Sequence, residues 1–107
     1  MAVSDARALY KQAFQAFVQG RVEEAVAGYR QALSVDPALA IAWNGLAMAL
    51  AQQGDLDGAI DAGRRLVELE PDEPLGHTSL SIFYQRKGLI REAEDEKAAA
   101  ARLSMRR

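Results

Sequence analysis

The one histidine of the chain, His77, stands four residues before Ser81, a spacing that sets both on one face of a helix. An imidazole beside a hydroxyl could activate it as a nucleophile. That chemistry also needs a carboxylate to orient the ring, and no acidic residue stands at a spacing that supplies one. A lone histidine in a chain without cysteine cannot build an ordinary zinc site either. Glu92, Glu94, Asp95 and Glu96 crowd together, with Arg102, Arg106 and Arg107 at the far end of the same stretch. The arrangement reads as a solvated face matched to the helix dipole, not as an acidic metal site or a nucleic-acid patch. His77 reads as a hydrogen-bonded packing residue. The expectation is no catalytic residue, no metal, no cofactor and no enzyme.

Composition sets the frame for the elements that carry these residues. The chain has 107 residues, half of them apolar and 26% charged, which suits one small globular domain. Without cysteine, stability must come from packing. A formal net charge of −2 gives no reason to expect DNA or RNA. The opening "MAVSDARALY" lacks the apolar run of an export signal, and "ALAIAWNGLAMALA" falls short of the roughly 20 residues that span a bilayer. No membrane insertion and a cytoplasmic location are therefore expected.

Two phrases recur. "GRVEEAVAGYRQALSVDP" (20–37) returns as "GDLDGAIDAGRRLVELEP" (54–71), a shift of 34 residues. The same shift aligns Gly20, Gly54 and Gly88, then Ala25, Ala59 and Ala93, then Leu9, Trp43 and His77. The glycines are thus punctuation and not a phosphate loop. Repetition at this period indicates stacked supersecondary units, none able to bury its apolar face alone. Trp43, Leu46, Ala47 and Leu50 form one helical stripe, and Leu56, Ala59, Ile60, Leu66, Val67 and Leu69 another. Gly54 ends the first helix, Asp55 caps the second, and "EPDEP" closes the pair. Ala25, Ala59 and Ala93 let the paired helices approach.

The segments "WNGLAMAL" (43–50), "GDLDGAI" (54–60), "LVELEP" (66–71), "GRVEEAV" (20–26) and "ALSVDP" (32–37) resemble the tetratricopeptide repeat family. The resemblance implies an all-α fold, a right-handed α-α superhelix of three stacked helix–turn–helix repeats with six helices. Residues 1–107 form a single domain, with repeats at about 6–39, 40–73 and 74–107 and the last helix acting as cap. Three departures are visible. Leu9 and His77 replace the favoured Trp, Gly63 and Leu66 exchange large for small against Tyr29 and Ala32, and Lys97 takes the Tyr29 slot in the third unit.

The resemblance further implies that the first helix of each unit lines a concave side, where family members hold peptides. The implied groove comprises Arg7, Tyr10, Lys11, Phe14 and Phe17, then Ile41, Asn44, Met48 and Gln52, then Leu75, Thr78, Ile82, Gln85 and Arg86, flanked by Gly45 and Ser79. The slots where some members clamp a chaperone's terminal carboxylate hold Tyr10, Phe14, Gly45, Leu75 and Ser79, so that clamp is not expected. The groove reads as largely apolar, with a cationic margin. The expected function is a non-catalytic scaffold or adaptor binding an apolar or amphipathic protein segment. The alternatives are a homo-oligomerising unit, a homodimer in the simplest case, and a wall that is simply core.

Overall fold

The apolar stripes fold as helices because each is bounded by a residue that cannot continue one. In the computed structural model, which describes residues 2–106, six α-helices and no strand form among those residues. They are α1 (Val3–Val18), α2 (Val22–Val35), α3 (Ala40–Gln52), α4 (Leu56–Leu69), α5 (Pro74–Lys87) and α6 (Ile90–Met105). Gly20, Gly54 and Gly88 each take a left-handed backbone, with φ between 83° and 87°, which breaks one helix and aims the next back along it. Asp55 caps α4, its Oδ1 accepting from the Gly58 amide at 2.9 Å. Pro74 opens α5, where its missing amide costs nothing.

The helices pair as α1–α2, α3–α4 and α5–α6, and the pairs stack in chain order through α2 on α3 and α4 on α5. Close approach depends on small side chains. Ala25, Ala59 and Ala93 are buried where expected, and Ala6, Ala42, Ala47 and Ala49 join them. Tyr29, 1% exposed, and Phe83 are the largest fully buried side chains.

Glycines make room at the two joints between pairs. A Cβ on Gly45 would lie 2.5 Å from the Tyr29 ring, so the missing side chain admits that ring onto α3. At the second joint a Cβ on Gly63 would meet Leu80 at 2.8 Å, and one on Gly76 would meet Val67 at 2.7 Å. The space that Tyr29 fills at the first joint is thus filled at the second by Leu66 and Leu80, both buried. Leu66, the large partner in the exchange with Gly63, is 2% exposed. Lys97, in the Tyr29 slot of the third unit, is exposed.

Candidate interaction groove

The first helices of the three pairs, α1, α3 and α5, form one wall of the stack. Spacings of three and four along each helix bring a row of large side chains to that wall. Phe14 (48% exposed), Ile41 (45%), Met48 (45%), Leu75 (49%) and Ile82 (51%) stand out into solvent. A cavity of about 380 Å³ opens between Met48 and Ile82, lined also by Phe17 from α1, by Ala51 and Gln52 from α3, and by Ser79, Phe83 and Arg86 from α5. Three helices far apart in sequence therefore share one concavity.

Not every expected groove residue stands free. Tyr10 and Phe17 are half-buried and pack against the core, so they are not fully free for a partner as the expected groove would have them. Tyr10 stacks on Phe14 with ring centroids 6.2 Å apart and tilts over Tyr29 at 5.8 Å. Burial raises the Tyr10 phenol above its usual range and, together with the charge of Tyr10, pushes the Tyr29 phenol up to about 12. Asn44 is half-buried, and among the described residues its Oδ1 has no hydrogen-bond partner. Thr78 turns its hydroxyl back to Pro74 O at 3.1 Å. Arg7, Lys11, Gln52, Gln85 and Arg86 are exposed, and the Arg86 Nη2 donates to Ala51 O at 3.2 Å across the gap between α3 and α5. Ser79 is buried on the cavity wall.

The structure adds a partner that spacing did not reveal. His77 Nδ1 donates to Glu96 Oε2 at 2.6 Å, joining α5 to α6 with both side chains mostly buried. Glu96 therefore departs from the solvated acidic face assigned to the start of α6, and a carboxylate does orient the imidazole. The signal lay in the repeat. Glu96 falls on Gly28 and Ala62 of the earlier units, and those two line the same crevices as Leu9 and Trp43. Ser81 is not joined to the pair by any hydrogen bond. Trp43, the counterpart of His77, instead donates its indole N–H to Pro37 O at 2.7 Å, pinning the turn before α3. No group of three or more histidine, cysteine or acidic residues able to hold a metal ion occurs among the described residues. No helix among them is long and apolar enough to cross a membrane.

A family model described as tetratricopeptide repeat matches residues 10–74. No curated protein sequence matches the chain. Among solved structures, a crystal structure of MamA superposes with a TM-score of 0.91 at 23% identity, covering 94% of this chain and 59% of that one. The CopN–Scc3 complex gives 0.89 at 20% identity, covering 94% and 59%. The first TPR of Spaghetti (RPAP3), bound to the HSP90 peptide SRMEEVD, gives 0.91 at 17% identity, covering 96% and 82%. The chain thus spans about three fifths of the first two, and at these identities the likeness is one of fold.

Proposed function

Since the chain belongs to the tetratricopeptide repeat family, we propose that it is a non-catalytic protein-interaction scaffold or adaptor that works in the cytoplasm. An apolar or amphipathic segment of another protein lies in the groove formed by α1, α3 and α5. The supporting observation is the row Phe14, Ile41, Met48, Leu75 and Ile82, each close to half exposed, with Met48 and Ile82 lining the cavity. Contiguous apolar surface of this kind on a soluble chain usually marks a contact site. Unbranched Met48 and aromatic Phe14 are the side chains that anchor such contacts. The neighbours support only the general reading, since one is an RPAP3 domain bound to a peptide and another comes from the CopN–Scc3 complex, both under 25% identical to this chain.

Selection of displayed random 16-residue peptides on the purified protein tests the groove. Enriched peptides should lose binding about a hundredfold to a Met48→Asp/Ile82→Asp variant whose helical circular dichroism is unchanged. Binding that survives the double variant places the contact elsewhere.

A second reading, self-association through the groove or the terminal units, draws on Val18 at 67% exposure on α1. Sedimentation at micromolar concentration separates the two. A monomer removes the second reading, and a dimer that hides Phe14 and Met48 promotes it.

A further inference from the structure

The charges of the chain are not spread evenly between its two walls. The inner helices α1, α3 and α5 carry Arg7, Lys11, Arg86 and Lys87 against one carboxylate, Asp5, which accepts from the Ala2 amide at 3.0 Å. The outer helices hold Glu23, Glu24, Asp57, Asp61, Glu68, Glu92, Glu94, Asp95 and Glu96 against Arg30, Arg64, Arg65, Arg91, Lys97 and Arg102, a net of −3 against +3 for the inner helices. A protein of net charge −2 therefore presents a positive inner wall.

The cations of that wall differ in what they face. Lys87 turns away to pair with Asp57 on α4. Arg86 lines the apolar cavity itself, fixed by its bond to Ala51 O. Neither Arg86 nor Arg7 nor Lys11 belongs to any of the ion pairs found among the described residues. A guanidinium that lines the same cavity as Ile82 and Met48, with its remaining donors unspent, is matched by a carboxylate arriving with apolar neighbours.

We propose that the groove selects acidic amphipathic segments, their apolar side chains seated among Phe17, Met48 and Ile82 and a side-chain carboxylate on Arg86, with Arg7 and Lys11 drawing further acidic residues toward the other corner. The proposal rests on the groove reading above and specifies its ligand. The charge belongs to Asp or Glu side chains within the segment. The wall offers apolar Phe14, Leu75 and Gly45, and not a cluster of cations, where a chain end would need to be gripped.

The displayed-peptide selection, followed by synthesis of the best enriched peptide as its C-terminal amide, tests this directly. The enriched set should be net negative with interleaved Leu, Ile, Phe or Met. The amidated peptide should bind as well as the free acid. Its affinity should fall about tenfold for Arg86→Gln and further for Arg86→Glu, and about tenfold between 50 and 500 mM salt. Neutral or basic peptides that bind the parent protein but not Met48→Asp/Ile82→Asp would keep the groove and overturn the acidic preference. So would full affinity for Arg86→Glu, or loss of binding on amidation. A dimer whose mass halves in the Met48→Asp/Ile82→Asp variant would assign the groove to a second copy of this chain. No enrichment over the unselected library would overturn both readings.

Discussion

His77 shows what a single residue gains from its fold. Alone in the sequence it suggests neither catalysis nor metal binding. In the structure it forms a polar lock with Glu96 where the earlier units have Leu9 with Gly28 and Trp43 with Ala62. The pairing was not legible because nineteen residues and a turn separate the partners, and periodicity within one helix carries no information across two. Removing one partner strands a mostly buried polar group, so Glu96→Ala should cost about 1–3 kcal/mol in urea unfolding. His77→Trp combined with Glu96→Ala, which installs the pair of the second unit, should recover most of that loss. Tyr29 gives a second test. Its buried phenol ionises near 12, against 10.0 unperturbed. The folded chain therefore keeps a proton that the unfolded chain releases between those values. Stability should be whole below pH 10 and fall as the pH climbs toward 12, by about 2 kcal/mol from this residue. Absorbance of the last tyrosinate should appear together with the loss of helical signal.

At the scale of the element, most of the fold was legible. Gly20, Gly54 and Gly88 lie at left-handed positions, Asp55 caps α4, and the repeated alanines are buried. These signals are local, so the sequence carries them whole. Gly88→Ala should cost about 1–2 kcal/mol from the backbone alone, because φ is +87° and nothing crowds the site. Asp55→Ala should cost about 1 kcal/mol and leave the other helices unchanged. Thermal melts followed by circular dichroism check both. The half-burial of Tyr10 and Phe17 escaped the sequence, since helical register gives the face of a side chain but not how far the next pair closes over it.

At the scale of the molecule, contacts run between neighbouring pairs, with a lesser contact of α1 on α3. Stability should therefore be graded along the stack. Among the buried side chains α6 supplies only Ala93 and Ala100, whereas α3 supplies Ala42, Leu46, Ala47, Ala49, Leu50 and Ala51. Hydrogen exchange should open α6 first and α3 last, with protection differing about a hundredfold. Uniform protection would mean that the stack melts as one unit. The exposed apolar row was legible in outline, since the register of 34 alone aligns Phe14, Met48 and Ile82, each about half exposed. The cationic margin was legible too, but not that Lys87 turns to Asp57 on α4 or that Arg86 reaches Ala51 O on α3, because those contacts cross between helices.

The glycine gaps carry a consequence for engineering. Gly45 receives Tyr29, while Gly63 and Gly76 receive Leu80 and Val67 in opposite directions, so the two joints are keyed differently. Placing two copies of the central hairpin in tandem would drive Val67 onto Ala42, the counterpart of Gly76, whose methyl occupies the keyhole. The three modules share a rhythm yet cannot be shuffled, and a lengthened array would have to be recut at its seams.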